Sequence, residues 1–230
     1  MTISFAQLTT PMVADACVRL GIPAFAAPPG IRPVAPGARL AGRALPVRHY
    51  GSVDVFLEAY GAASPGDVLV IDNGGRVDEA CIGDLAVLEA RTAGVAGIVV
   101  WGLHRDTTEL AEIGMPVFSY GPYPYGPLHV DARSAEALLN ARVGDRTVTC
   151  RDVVFADDDG VLFVPGDQVE AVLEAAEAIR RTERAQAERI LAGETLRRQT
   201  AFDDYLLARA QDPGYTFRAH LRRVGGAIEE

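Results

Sequence analysis

Two short, wholly apolar runs constrain the fold of this chain more than any other feature. Val68-Leu-Val-Ile71 and Val95-Ala-Gly-Ile-Val-Val100 are rich in β-branched residues and bounded by glycine turns, so each reads as a strand buried on both faces. The intervening segment holds Asp84 to Ala93, an expected helix with an apolar face of Leu85, Ala86 and Leu88. A short helix over Asp106 to Ile113 and a strand over Pro116 to Ser119 follow. This β-turn-α alternation over residues 65 to 120 predicts parallel strands joined by helical crossovers. In such sheets ligand sites fall where strands end. Arg105 and Asp106 stand just beyond the second run, where a carboxylate can hold a hard cation and a guanidinium can clamp an anion.

The remaining elements are read in the same way. A helix spans Thr10 to Leu20, capped by threonine and stopped by Gly21. Gly21 to Gly37 is proline- and glycine-rich loop, Leu40 to His49 a strand, Ser52 to Tyr60 a short helix, and Ser64 to Asp67 a turn. Thr147 to Val154 and Gly160 to Val164 are expected strands, joined by an acidic turn at Asp157 to Gly160. A long helix runs from Asp167 to Ala192 with a stripe of Val169, Val172, Leu173, Ala176 and Ile179, stopped by Gly193. Its later half is mostly polar, so it stands in solvent or lies across a partner subunit. A further helix is expected near Ala201 to Ala210, then a basic-aromatic stretch from Tyr215 to Arg223.

Bulk properties exclude several classes. The net charge of −9 argues against nucleic acid as a partner, and no apolar run is long enough for a membrane span. The N-terminus lacks a basic segment followed by an apolar one, so no secretory signal is expected. Cys17, Cys81 and Cys150 are widely spaced and odd in number, which fits a reduced cytoplasmic protein.

Three pieces converge if the strands are parallel: the turn Asp72-Asn-Gly-Gly75, the segment Cys81-Ile-Gly-Asp-Leu-Ala86, and Arg105-Asp106 with Glu109 beyond. A helix opening at Gly83 presents the backbone N–H groups of Asp84, Leu85 and Ala86, which bind a carboxylate or phosphate without side chains. Arg105 could hold the same anion from the other side.

Gly83-Asp84-Leu85 followed by Arg105-Asp106-x-x-Glu109 resembles the signature of the pyruvate aldolases that cleave 4-hydroxy-4-methyl-2-oxoglutarate. That family also contains the RraA regulators of ribonuclease E. Gly66 to Asp72, Ala96 to Val100 and Phe155 to Pro165 add to the likeness, which covers about residues 8 to 194. The resemblance implies an α/β protein with the β/β/α swivelling-domain (RraA-like) fold, a long C-terminal helix and a helical tail. Residues 1–194 would be the RraA-like aldolase domain, and 195–230 a helical extension packing on a neighbouring subunit. A homotrimer, or a homohexamer of two trimers, is implied. So is a divalent metal, magnesium or manganese, bound by Asp106 as the single protein carboxylate. Gly83, Asp84, Leu85, Ala86 and Arg105 would match the substrate-binding positions for a small 2-oxo acid. Catalysis would fall to Arg105, Asp84 and a glutamate from a neighbour's long helix, with Glu183 the best match and Glu188 behind it. The implied reaction is metal-dependent cleavage of a 4-hydroxy-2-oxo acid through a pyruvate enolate, with oxaloacetate decarboxylation as a side activity.

Each residue also has a structural reading. Arg105-Asp106 could be a surface ion pair, Glu109 a helix-surface charge, and Asp72 a turn cap. Asp157 to Asp159 reads as a solvated turn, because successive acids lack the alternating spacing of calcium loops. His104 could meet substrate or lie exposed. Cys81 reads as a buried small residue, and Tyr120, Tyr123 and Tyr125 line a pocket or pack a loop. Asn73 stands where the resemblance leads one to expect glycine, and the segment Tyr120 to Pro127 and the basic tail also depart from the family. A non-enzymatic RraA-like binding protein is the competing reading. A Rossmann-type methyltransferase is a third, weakened by the lack of G-x-G-x-x-G after an early strand.

Overall fold

The computed structural model describes residues 5–128 and 130–225. In chain order the elements are α1 (Thr10–Leu20), β1 (Phe25–Ala26), β2 (Arg32–Pro33), β3 (Leu40–Arg48), α2 (Asp54–Ala62), β4 (Val68–Asp72), β5 (Ala80–Ile82), α3 (Asp84–Thr92), β6 (Gly97–Trp101), β7 (Leu103–His104), α4 (Thr107–Ile113) and β8 (Val117–Ser119). The second half holds β9 (Asn140–Val143), β10 (Arg146–Thr149), β11 (Asp152–Asp157), β12 (Gly160–Pro165), α5 (Val169–Leu191), α6 (Leu196–Gln199), α7 (Phe202–Gln211) and α8 (Phe217–Val224).

The main sheet has the order β1-β12-β11-β3-β4-β6-β8-β2. Its β3-β4-β6-β8 portion is parallel, as the β-turn-α alternation predicts. β11 joins β3 antiparallel, and β12 and β1 extend that wing. Burial explains the unbroken apolar runs. Along β4, Leu69 and Ile71 face the layer of α2, α3 and α4, whereas Val68 and Val70 face a second core with Phe118, Val143 and Val148. Over the antiparallel wing, α1 and α5 pack Met12, Val13, Val172 and Ile179 against Phe155 and Val164.

Several expectations need correction. The stretch Thr147 to Val154 is two strands, β10 and β11. The break follows from the Asp152 carboxylate, which accepts from the Thr149 N–H at 2.7 Å and its hydroxyl at 3.2 Å and so closes a turn. β9, not foreseen, pairs with β10 as a separate hairpin. On α3 the buried residues are Val87 and Ala90, while Leu85 is 75% exposed. Of the expected face Ala86 packs partly buried against the core, whereas Leu85 points away from it and the helix is anchored by Val87 and Ala90 instead.

The acidic turn is not simply solvated. Asp157 is buried and accepts from the Thr10 N–H at 2.8 Å, the Thr10 hydroxyl at 2.6 Å and the Asp159 N–H at 3.1 Å. It thus caps α1 from the far end of the sequence, whereas Thr9, at the N-cap position, makes no capping bond with its own side chain. The tail also folds further than expected. Its basic-aromatic stretch forms α8, capped by the Thr216 hydroxyl, which accepts from the Ala219 N–H at 3.2 Å. Tyr205, Phe217 and the buried His220 pack their rings together, and His220 Nε2 lies 2.8 Å from the Thr200 carbonyl. The Gln199 amide donates to the carbonyls of Gln186 and Glu194, tying this unit to α5. Among the described residues no helix is long and apolar enough to cross a membrane.

Candidate functional site

The strand-end rule places Arg105 and Asp106 beside Gly83, but a small accessory sheet makes the junction. β5 and β7 pair in parallel, Ala80 with Leu103 and Ile82 with His104. The Arg105 N–H donates to the Ile82 carbonyl at 3.0 Å. The chain leaving β5 at Gly83 therefore runs alongside the chain leaving β7 at Arg105. Their approach is so close that a Cβ on Gly83 would stand 2.2 Å from Asp106 Oδ2 and 3.1 Å from Arg105 Nε. Gly83 itself has φ −140°, open to any residue, so glycine is required here by space and not by backbone angle.

Asp106 begins α4 in the left-handed region, φ 61° and ψ 44°. Such a conformation is costly for most side chains and tolerated by aspartate. His104 holds the approach to it. This buried ring lies with Nδ1 2.6 Å from the Ser119 hydroxyl and Nε2 3.0 Å from the Thr107 hydroxyl. Burial pushes its pKa down, with the Asp106 charge acting in the opposite sense. His104 is accordingly a buried bracket between β7, β8 and α4, not an exposed loop residue.

Asp106 Oδ2 accepts from the Asp84 N–H at 3.2 Å and lies 3.4 Å from Arg105 Nε. The Asp84 carboxylate turns back on its own helix and accepts from the Leu85 N–H at 2.7 Å. Of the three N–H groups expected to stand free at the start of α3, two are thus occupied by protein carboxylates. A ligand there displaces Asp84 from Leu85 or uses the Ala86 N–H.

Gly83, Asp84, Leu85, Ala86 and Arg105 line one cavity of about 330 Å³, together with His49, Val53, Cys81 and Pro127. His49 was missed in the sequence, although it sits just beyond β3 by the same strand-end rule. Its Nδ1 lies 2.8 Å from Asn73 Oδ1, and its ring stacks on Phe56. Pro127 comes from the segment that departs from the family. That segment adds its backbone to the accessory sheet, the Ala80 N–H donating to the Tyr125 carbonyl and the Tyr123 N–H to the His104 carbonyl, both at 2.8 Å. A Cβ on Gly126 would stand 2.9 Å from an Arg105 guanidinium nitrogen, so the loop closes over Arg105.

Other candidates fall outside this cluster. Glu109 is exposed on α4 and does not line the cavity. Cys81 does, but burial raises its thiol pKa far above the usual value, which suits a packing residue and not a nucleophile. Asp72 accepts from the N–H groups of Gly74 at 2.9 Å and Arg142 at 3.0 Å, so it caps its turn and opens onto an adjoining cavity. Glu183 lies on α5, no residue of which lines the Gly83 cavity.

Among the described residues no group of three His, Cys, Asp or Glu side chains could hold a metal. Asp106 stands as a single carboxylate, one third exposed, with Oδ2 shared between Asp84 N–H and Arg105. A single, partly exposed carboxylate fits an ion that keeps most of its own waters, as magnesium does, and not a zinc cage.

Comparison with known proteins identifies relatives of this chain. Protein DlpA of Legionella pneumophila is 31% identical over 182 residues, 76% of this chain and 29% of DlpA. A protein of Halalkalibacterium halodurans named "Putative 4-hydroxy-4-methyl-2-oxoglutarate aldolase" is 34% identical over 122 residues, 52% of this chain and 56% of that protein. The chain therefore matches only part of the length of either relative. Among solved structures, Streptomyces coelicolor RraAS2, described as an unusual member of the RNase ES inhibitor RraA protein family, superposes with a TM-score of 0.68. It is 25% identical, and the match covers 80% of this chain and 95% of RraAS2. The family model described as RraA-like, Aldolase/RraA, matches residues 10–163, a span that includes Gly83, Arg105 and Asp106, and the chain belongs to that family.

Proposed function

We propose that the chain is a carbon-carbon lyase that releases pyruvate from a 4-hydroxy-2-oxo acid, with Asp106 holding a divalent magnesium or manganese ion. The observation that carries this reading is the packing of Gly83 against Asp106 and Arg105, which leaves no room for a Cβ. It brings the start of α3 and the Arg105 guanidinium to the lining of one cavity, with the Asp106 carboxylate behind that lining, 3.4 Å from Arg105 Nε, and these are groups that seat a 2-oxo acid and offset charge on its oxygens. When bound, the ion supplies positive charge at the 2-oxo oxygen.

The residues of the chain do the rest. Arg105 clamps the substrate carboxylate, aided by the Ala86 N–H and by the Leu85 N–H once Asp84 swings off it. The C3–C4 bond breaks, its electron pair stays on C3, C4 becomes a carbonyl as its hydroxyl proton passes to a carboxylate, and that proton is then returned to C3 to complete pyruvate. Asp84, the carboxylate that lines the cavity in this chain, is the first candidate, and Glu183 of a neighbouring copy, with Glu188 behind it, is the second. The α5 glutamates lie away from the cavity of their own chain, and Val53 and Leu85, which line it, are exposed. Both features support a homotrimer or a hexamer of two trimers. Loss of carbon dioxide from oxaloacetate leaves the same electron pair on C3, so that activity accompanies the aldolase.

The test is pyruvate release from 4-hydroxy-4-methyl-2-oxoglutarate and from oxaloacetate, with magnesium or manganese and with chelator, beside Asp106→Ala. We expect metal-dependent turnover that falls by about 10²-fold or more in the variant, the scale of losing one preorganised charge-stabilising group. Chelator-sensitive turnover retained by Asp106→Ala overturns the reading. The likeness to RraAS2 favours a second reading, a non-enzymatic binding protein. A folded, metal-loaded oligomer that releases pyruvate from neither compound points there.

A further inference from the structure

A second cavity, of about 340 Å³, adjoins the first. His49 and Gly51 line both, so the two form one cleft. Its walls carry three guanidinia, Arg48, Arg76 and Arg142, and three carboxylates, Asp72, Glu79 and Asp131. The formal charges balance three against three, although Arg48 and Arg142 share one carboxylate, Asp72, while Arg76 takes Glu79. Arg142 Nε lies 3.5 Å and Arg48 Nε 3.7 Å from Asp72 Oδ2, and Arg76 Nε lies 3.3 Å from Glu79. Asp72 and Glu79 are 3% and 2% exposed, so they cannot turn out to solvent to make way for another anion.

We infer that this second cavity receives a polyhydroxyl chain beyond C4 of the substrate, not a second carboxylate. The inference rests on the aldolase reading, because that reading seats the 2-oxo acid end at Gly83 and Arg105 and sends the other end past His49. A wall of paired guanidinia and carboxylates offers donors and acceptors side by side. A hydroxyl both donates and accepts and matches such a wall at every carbon. A carboxylate accepts only, and here it would add an unmatched negative charge beside two buried ones. Arg142 is the least enclosed of the three guanidinia. Its side chain is 57% exposed and lies 5.5 Å from the Trp101 ring, a placement that lets it meet a ligand hydroxyl while still held by Asp72. Asn73, standing where glycine was expected, holds His49, which lines both parts of the cleft, through a 2.8 Å contact with its ring nitrogen. It fills the space so tightly that a Cβ on Gly102 would meet it at 2.9 Å.

Three 4-hydroxy-2-oxo acids test this on the intact protein with magnesium: 4-hydroxy-2-oxopentanoate, 4-hydroxy-4-methyl-2-oxoglutarate and a 3-deoxy-2-oxohexonate. In each the C3–C4 bond breaks with its electron pair on C3, the O4 proton is lost as C4 becomes a carbonyl, and C3 takes up a proton, so pyruvate is the common product. We expect kcat/KM for the hexonate to exceed that for the dicarboxylate by about tenfold or more, the worth of one charge-assisted hydrogen bond. Arg142→Met should raise KM for the hexonate about tenfold with little change in kcat, and so shrink its advantage over the pentanoate. Preference for the dicarboxylate, or an equal loss on all three substrates in Arg142→Met, overturns the inference and leaves the aldolase standing. No cleavage of any of the three overturns both. The comparison of substrates on the unaltered protein needs no variant to fold.

Discussion

Replacing Gly83 by alanine adds one methyl group at the tightest point of the site. At φ −140° the backbone accepts alanine, and removing a glycine restricts the unfolded chain, so on backbone grounds alone the variant gains about 0.4–1 kcal/mol. Sterics oppose this. The new Cβ would lie 2.2 Å from Asp106 Oδ2, 3.1 Å from Arg105 Nε and 3.2 Å from Arg105 Cγ. Ordinary contact needs about 3.5 Å, so the carboxylate must retreat by roughly 1 Å or more. If the surroundings resist, overpacking costs about 1–3 kcal/mol, equivalent to a few degrees in Tm at this chain length. If the Asp106 side chain simply rotates away, stability changes little, but the Asp84 N–H loses its acceptor. Either route spoils the arrangement, and a misplacement of 1 Å in a catalytic constellation costs about 10²-fold in rate. The assay is kcat/KM for pyruvate release alongside a calorimetric Tm. A variant with full activity and a raised Tm would refute the steric argument, because only the backbone gain would then operate.

Two predictions concern the frame around the site. Asp157→Ala removes the acceptor that caps α1 from the other end of the chain, and denaturant unfolding should show a loss of about 2–3 kcal/mol, whereas Asp158→Ala, on the exposed side of the turn, should cost far less. Burial raises the pKa of Tyr60, whose hydroxyl donates to the Ala86 carbonyl at 3.0 Å. Its contribution is therefore complete below about pH 10, where the unfolded phenol titrates, and is lost as pH rises above that value. Tyr60→Phe should be about 1 kcal/mol less stable at pH 7 and should decline less steeply above pH 10; some decline remains, because buried Cys81 shifts in the same direction. An alkaline limb identical to the parent's counts against that account.

The parallel strands, their helical crossovers and the meeting of Gly83 with Arg105 and Asp106 were legible in the sequence. Hydrophobic period and glycine placement are local signals, and the strand-end rule converts them into a site. The long helix was legible too, since its stripe of Val169, Val172, Ala176 and Ile179 is buried as its spacing requires. What the sequence left open depends on contacts between distant residues. Nothing local distinguishes Asp157, which is buried on Thr10, from its exposed neighbour Asp158, because the difference is made by a helix 147 positions away. The start of α3 reads as an open row of N–H groups, yet folding brings the Asp106 carboxylate onto one of them and leaves Asp84 on the next. His49 and the charges of the second cavity carry no motif at all; Arg48, His49 and Asp72 meet because β3 and β4 end side by side, and Arg142 arrives from β9 and Arg76 and Glu79 from the loop after β4. The sequence determined which segments are strands and helices through short-range periodicity. The tertiary structure decided which polar groups are paired and which cavity they face, since that partnership is a matter of distance in space.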